Sequence, residues 1–451
     1  MLTLSEVCNS LNINMSSIKN NHVLDFPITG FAVDSRHVKQ GNIFIALKGT
    51  KTNGELYLQE AKKNGAIAAI VSSDCKECID DFPLLKVEDS LQTLQYLAKH
   101  KLEKLGIRII AITGSVGKTT TKEFTQQLLS KKYRVAFSPG NQNSQIGMPL
   151  TILNQVTDED QLLILEMGMT EKGHLSQLVQ IAPPEVGVIT QVALVHACNF
   201  ESIEEIALTK AEIFSNPSMK LAIFPREIPE YKQISEKIPC KKSTFSLCSS
   251  EADYKISLDC DNCIEISFEN ENIKLGCPSL IGKHNLHNLL ASIVIARYFK
   301  LDWNTILDAL SSLSLPEKRL QYISLKGLNF LNDSYNAAEV SVKAALEVMA
   351  EQKVNGRKIA VLGSMMELGK FSHECHSRVG ECALNCVDEV YCLGIECDPI
   401  YRLWKKEKRP THLFKTRSDL VGFLKNHLTP NDLVLLKGSS SNELWKVLEE
   451  L

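Results

Sequence analysis

A chain of 451 residues, 44% hydrophobic and 23% charged, is longer than one hydrophobic core usually serves and points to two or three globular domains. Its net charge of −3 gives no general pull toward nucleic acid or an anionic membrane, so any basic site has to be local. No apolar run approaches the roughly 20 residues that cross a bilayer, and the N-terminus "MLTLSEVCNSLNINM" lacks the basic and apolar regions of a secretory leader.

Fourteen cysteines are scattered without a compact framework, which favours reduced thiols and a cytoplasmic location. Two pairs have CxxC spacing, Cys75/Cys78 and Cys260/Cys263. They are far apart in sequence and lack the glycine turns of zinc knuckles, so no zinc site is expected from them.

Residues 1–82 read as a small α/β unit. "GNIFIALKG" (41–49) is an apolar strand between glycines, and "YLQEAKKNGAIAAIV" (57–71) is a helix ended at Gly65 and followed by a strand. "DDFPLLKVED" (80–89) reads as a linker. Residues 83–314 alternate helices with short buried strands: "IRIIAIT" (107–113), "LLILEMG" (162–168), "VGVITQV" (186–192) and "KLAIF" (220–224). Continuous apolar strands between helices predict a mostly parallel sheet covered on both faces. Residues 253–277 alternate with period two, as an antiparallel hairpin pair does, ahead of a helix at 284–299. Pro316 marks a second boundary, and 315–451 carries buried strands at 329–333, 357–363, 388–394 and 432–438, the pattern of a third, Rossmann-like α/β domain.

The stretch "AITGSVGKTTTKE" (111–123) follows a β-branched strand and opens a helix. A strand, a glycine turn and a helix N-terminus place backbone N–H groups around an anion. The ordinary P-loop has a glycine five residues before its Gly-Lys pair; that position is Ile112 here, and Gly114 and Gly117 bracket only two residues. The loop is therefore a shorter phosphate cradle, which argues against an ordinary P-loop kinase or GTPase. Lys118 is placed to reach terminal phosphates and Thr119 to bind magnesium. Glu166 ends a buried strand on the edge where parallel sheets bind ligands, a natural second magnesium ligand. His196 and Lys210 are unremarkable on their own. The residues alone therefore indicate an ATP-using, magnesium-dependent α/β enzyme.

These motifs resemble the Mur ligase family, whose short loop reads "TGxxGKTT"; residues 113–120 are "TGSVGKTT". The resemblance runs along nearly the whole chain. "DSRHVKQGNIFIALKG" (34–49) is similar to the family's uridine-nucleotide module, and "GNQNSQIGMPLTIL" (140–153) to the substrate loop of its MurF type. "LEMGM", "TKAEIF", "GKHNLHNLLAS", "PEKRL", "NDSYNAA", "MELG" and "LLKGS" follow in the family's order. The resemblance implies an ATP-dependent ligase joining D-alanyl-D-alanine to a UDP-muramyl-tripeptide through an acyl phosphate. It implies an N-terminal UDP-substrate domain, a central ATP domain and a C-terminal domain for the amino substrate.

Residue roles carry over in the same way. Thr113, Gly114, Ser115, Val116, Gly117, Lys118, Thr119 and Thr120 would form the ATP loop, with Asn285 and Asn336 at adenine, Arg319 at the phosphates and Asp333 at the ribose. Thr119, Glu166, His196 and Lys210 would serve magnesium, Lys210 after carbamylation by carbon dioxide. Ser35 and Arg36 would touch the uridine diphosphate, and Asn141, Asn143 and Ser144 the muramyl-peptide end. Ser439 is a weaker candidate for substrate contact, as is His376. A monomer is expected.

The chain departs from the family at Ala338-Glu339 (family "NP"), Ser364 (Asp in "GDM"), Ser440 (Arg in "KGSR") and Ser144 (the second of paired asparagines). Three of the four lie in the C-terminal domain, so the amine is less firmly indicated than the nucleotide. The alternatives are a MurE-type ligase, a folylpolyglutamate synthase and, outside the family, a P-loop kinase or a non-catalytic scaffold.

Overall fold

Each segment read as a buried strand contains one in the computed structural model, which describes residues 3–14, 25–49, 52–195, 197–258, 263–268, 271–276 and 282–451. Contacts divide the chain into two compact units: Met1–Ala111 with Tyr133–Gly168 and His174–Glu185, and Ile112–Lys132 with Met169–Gly173 and Val186–Leu451.

The first unit contains a parallel sheet of four strands in the order Gly30–Ala32, Asn42–Ile45, Ala68–Ser72 and Leu84–Val87. Phe44, Ala46, Leu58, Ala61, Ala69 and Val71 build its core. The last strand corrects the linker reading of 80–89. Pro83 stands just before that strand, where its missing N–H costs no ladder bond, and Leu85 is buried. Helix Ser90–Leu105 follows, capped by Asp89, whose carboxylate accepts from the N–H groups of Leu91 and Gln92. It packs on helix Gly147–Gln155. Asn154 of that helix exchanges two hydrogen bonds with the Phe31 backbone, at 2.8 and 2.9 Å, and so serves the strand edge as a short ladder partner. Strands Val135–Phe137 and Leu162–Glu166 pair in parallel in the same unit.

In the second unit Val186–Ile189, Leu221–Pro225, Lys241–Ser246 and Tyr254–Leu258 pair in parallel, and Ile264–Phe268 and Glu271–Gly276 continue antiparallel. The antiparallel segment matches the period-two reading of 253–277. A second sheet runs Gln321–Leu325, Leu328–Asn332, Leu433–Lys437, Lys358–Gly363, Glu389–Leu393, Thr411–Phe414, with only its first pair antiparallel. Successive strand residues face opposite layers. Ala360, Leu362, Val390 and Cys392 join helices Glu339–Glu351, Ser372–Leu384 and Asp398–Lys406, while Ile359, Val361, Tyr391 and Leu393 join Arg417–His427 and Lys446–Glu450. Burial on both faces explains why these strands read as unbroken apolar runs. Gln321–Leu325 escaped the sequence reading because its residues are partly or fully exposed; a turn with positive φ at Lys326 (50°) and Gly327 (82°) folds it against its neighbour.

Among the described residues eleven cysteines carry free thiols, whereas Cys263 is disulfide-bonded, a departure from the expectation of wholly reduced thiols. Cys260 and His196 lie outside the described residues. No helix among the described residues is long and apolar enough to cross a membrane.

Candidate active site

Strand Arg108–Thr113 delivers the chain into the glycine loop, and helix Lys118–Leu129 carries it away. The segment after Val186–Ile189 pins the loop. Ser115 N–H donates to Gln191 O at 2.7 Å and Ser115 Oγ to Ala193 O at 2.8 Å. Thr190 Oγ1 lies 2.6 Å from the carbonyl of Val116 and 3.2 Å from that of Thr113. The two glycines are steric requirements. A Cβ on Gly114 would fall 1.9 Å from Thr190 Oγ1, and Gly117 holds φ at +87° as the N-cap of the helix. No side chain caps that helix, so the positive end of its dipole meets the loop undisguised. Lys118 Nζ donates to the carbonyls of Gly114 at 2.8 Å and Ser115 at 3.3 Å. Thr119 and Thr120 are buried. A backbone cradle, a helix N-terminus and an ammonium on one loop fit a polyphosphate.

A narrow cleft joins this loop to residues from farther along the same unit, among them Asn285, Asn288, Arg319 and Asp333. Helix Lys283–Tyr298 packs on helix Lys118–Leu129 through a polar seam. Thr121 Oγ1 donates to Asn288 Oδ1 at 3.4 Å, Asn288 Nδ2 to Asn285 Oδ1 at 3.3 Å, and Ser292 Oγ to Thr121 O at 3.1 Å. Asp333 follows strand Leu328–Asn332 and accepts from Leu320 N–H at 3.3 Å. The fully buried Lys437 ammonium pairs with it at 3.0 Å. Burial pushes the Lys437 pKa down, and Asp333 pulls it part of the way back. Arg319 stacks over Tyr335, 4.3 Å from guanidinium carbon to ring centre, and its buried Nε has no hydrogen-bond partner. Such an orphaned cationic donor beside a phosphate cradle fits an anionic ligand. The Asn336 side chain is exposed, and its carbonyl accepts from Lys437.

Lys210, at the end of helix Ile203–Lys210, is buried. Desolvation, and then the charge of Lys118, hold its pKa well below the ordinary lysine value.

In the first unit Glu166 is buried at its strand end, and its Oε1 accepts from Asn143 Nδ2 at 2.7 Å. Asn143 O also accepts from Gly168 N–H at 2.8 Å, so one asparagine ties the predicted substrate loop to the predicted metal ligand. Ser144 Oγ accepts from the N–H groups of Ile146 (3.4 Å) and Gly147 (3.1 Å), at the entry to helix Gly147–Gln155. Asn141 is exposed. Ser35 is buried, with its hydroxyl donating to Glu60 at 2.6 Å. Arg36 is exposed and grips Asp34 with two guanidinium nitrogens, which holds the Asp34 pKa at about 2. Among the described residues no three His, Cys, Asp or Glu side chains are grouped to hold a metal.

Sequence reasoning missed Thr190, Gln191, Asn288 and Lys437. Asn288 was findable: it stands one helical turn from Asn285, on the same face.

The family model described as "Mur ligase family, catalytic domain" matches residues 27–102, "Mur ligase middle domain" 112–296 and "Mur ligase, glutamate ligase domain" 318–440. The chain is similar to the UDP-N-acetylmuramoyl-tripeptide–D-alanyl-D-alanine ligase of Bacillus subtilis, with 30% identity covering 94% of this chain and 93% of the relative. The enzyme of the same name from Rickettsia prowazekii is 31% identical, over 98% and 97%. Among solved structures, the MurF ligase of Thermotoga maritima in complex with ADP is 29% identical, with a TM-score of 0.78 over 93% of this chain and 96% of that one. MurF from Acinetobacter baumannii, at 24% identity and a TM-score of 0.82 over 98% of both chains, has the same fold. With its short glycine loop, its three α/β domains and this end-to-end similarity, the chain belongs to the Mur ligase family.

Proposed function

We propose that this chain is the ATP-dependent ligase that joins D-alanyl-D-alanine to UDP-N-acetylmuramoyl-tripeptide in the making of peptidoglycan precursors. The observation that carries the reading is the two-glycine cradle, with Lys118 at its exit and the orphaned Arg319 Nε in the adjoining cleft.

In this reaction the tripeptide carboxylate attacks the γ-phosphorus of ATP, forming an acyl phosphate and releasing ADP. The dipeptide amine then adds to the acyl carbon, and the tetrahedral adduct expels phosphate to leave an amide. Both reactants of the first step are anionic, so the protein must neutralise charge and align the groups. Lys118 and Arg319 supply positive charge to the phosphates. Asn285 and Asn336 take the adenine and Asp333 the ribose hydroxyls. Ser35 and Arg36 take the uridine diphosphate, and Asn141, Asn143, Ser144 and Ser439 act on the substrates. Magnesium supplies further charge neutralisation, with Thr119, Glu166, His196 and Lys210 as its proposed protein ligands. Lys210 takes that role as a carbamate: its neutral amine attacks carbon dioxide and loses a proton. The depressed pKa makes the neutral amine accessible. The chain acts in the cytoplasm as a monomer, and sedimentation checks the second point.

One assay tests the reading. Protein, ATP, magnesium and UDP-muramyl-tripeptide are mixed, and amines are added singly. Phosphate release with D-alanyl-D-alanine, lost by about a thousandfold in Lys118→Ala, is the expected result. Release instead with diaminopimelate and the dipeptide precursor assigns the chain to the MurE type. Release with neither points to a kinase or a scaffold.

A further inference from the structure

The motif "LLKGS" (435–439) brings a lysine to the end of strand Leu433–Lys437. That strand runs beside Leu328–Asn332, with Leu436 and Asn332 in register. The Lys437 side chain is fully buried. Taking an ammonium out of water is costly, and it is tolerated where each of its three protons finds an acceptor. Here all of them do. The ammonium pairs with Asp333 Oδ2 at 3.0 Å, donates to Asp333 O at 3.2 Å and donates to the carbonyl of Asn336. Every acceptor lies on one turn, residues 333–336, so Lys437 has no proton left for a ligand.

The fold does not need this ammonium. Asp333 N–H already donates to Leu436 O at 3.0 Å and extends the ladder between the two strands. An apolar side chain of the same length would fill the space without the cost of desolvating a charge.

What the ammonium adds is orientation. Leu320 N–H donates to Asp333 Oδ1 at 3.3 Å, so each oxygen of this carboxylate has a partner in the protein and keeps a lone pair for another. Among the described residues Asp333 lines the cleft that contains Gly117, and Lys437 does not. The same turn carries Tyr335, whose N–H donates to Lys318 O at 3.3 Å and whose ring lies against Arg319. A bare carboxylate in a cleft for polyphosphate would repel its ligand; the ammonium beside it cancels that charge.

We propose that Lys437 is a positioning residue for the nucleotide: it fixes Asp333 and the 333–336 turn so that the carboxylate receives the ribose hydroxyls. This rests on the ligase reading above and assigns the lysine of "LLKGS" to ATP rather than to the amine. Lys437→Met removes the ammonium and keeps the length. Its KM for ATP should rise about tenfold, the value of one hydrogen bond to a charged group. Its KM for D-alanyl-D-alanine should stay within about twofold. 2′,3′-Dideoxy-ATP lacks both ribose hydroxyls, so its equilibrium binding should agree within about twofold between wild type and variant. Lys437→Gln keeps donors for the carbonyls; it replaces Lys437→Met where that variant does not fold, with a loss of about threefold confined to ATP. An unchanged affinity for ATP overturns the proposal. An equal loss for ATP and its dideoxy analogue also overturns it, since Lys437 would then only prop the fold, and so does a loss confined to the dipeptide. Should wild type turn over no D-alanyl-D-alanine, the ligase reading fails. Equilibrium binding of ATP and dideoxy-ATP, compared between wild type and variant, then decides the role of Lys437 separately.

Discussion

A Cβ added to Gly117 would stand 2.3 Å from Asn288 Oδ1, inside any tolerable contact, and Gly117 also holds φ at +87°. Gly117→Ala therefore meets two obstacles, a clash with the neighbouring helix and a left-handed backbone. A shift of about 1 Å in the phosphate cradle is enough to cost on the order of a hundredfold in rate. Gly117→Ala should lose at least that in kcat/KM for ATP, with the melting temperature lowered by only a few degrees. Gly117→Ala/Asn288→Ala removes the clash and leaves the backbone strain, so it should recover only part of the loss. Steady-state kinetics on the two variants check this; full recovery would show that strain is unimportant.

Lys210 sets stability against function. Its ammonium is buried, with its pKa well depressed by desolvation and by Lys118. A base with a folded pKa below its unfolded one binds fewer protons when folded, so its contribution to stability rises with pH across that window and falls as the medium turns acidic. Lys210→Met replaces the group with an apolar one of similar length and should raise the melting temperature at pH 7 by a few degrees. The same variant should lose ligase activity. Wild type depleted of carbon dioxide should also lose activity and regain it with bicarbonate. A variant that stays fully active without bicarbonate removes the carbamate from the mechanism.

The glycine loop and the buried strands were legible because their signals are local: β-branched runs, paired glycines, a helix start. The cleft was legible only in part. Asn285, Arg319 and Asp333 are far apart in sequence and were identified by family resemblance; the cleft gathers them. Thr190 and Gln191 bind the loop through a carbonyl and a hydroxyl, contacts that leave no pattern in sequence. Lys437 sits at the end of a buried strand and looks like an ordinary strand terminus until Asp333 appears beside it at 3.0 Å. The strand Leu84–Val87 was mistaken for a linker because Pro83 outweighed a four-residue run. The departure at Glu339 proved structural: Arg378 and Lys343 both bind its carboxylate, and against the pull of burial they hold its pKa at about 2.

Asn143 orients Glu166, the magnesium ligand proposed above, through a 2.7 Å hydrogen bond. Outer partners of this kind are worth about 10- to 100-fold in metal affinity or activity. Asn143→Ala should therefore reduce kcat by about that factor and raise the magnesium concentration needed for half-maximal rate. Asn143→Asp should be worse near neutral pH. Two carboxylates at hydrogen-bonding distance cannot both ionise easily, and one would retain a proton. Its activity should recover as pH rises, whereas that of Asn143→Ala should not; pH–rate profiles of the pair distinguish the two effects.

Arg357 and Asp432 fasten the starts of two neighbouring strands, Lys358–Gly363 and Leu433–Lys437. The guanidinium donates to both carboxylate oxygens, from Nε at 3.1 Å and from Nη2 at 2.6 Å, and also reaches Glu389 and His427. Asp432 is 1% exposed. Burial alone would raise its pKa; Arg357 and the N–H groups of Arg357 and Thr429 overcome this and hold it at about 2, below the ordinary 3.8. A depressed carboxyl contributes stability that is complete above its unfolded pKa and fades as pH falls through the folded one. The window is therefore about pH 4 down to pH 2. The shift corresponds to about 2 kcal/mol at neutral pH. Asp432→Asn should cost that much or more, since it leaves Arg357 without its bidentate partner. Denaturant melts of wild type and variant should differ by about 2 kcal/mol at pH 7, and the difference should shrink as the pH is lowered from 4 toward 2. A gap that stays constant over that range would mean the pair contributes through packing rather than charge.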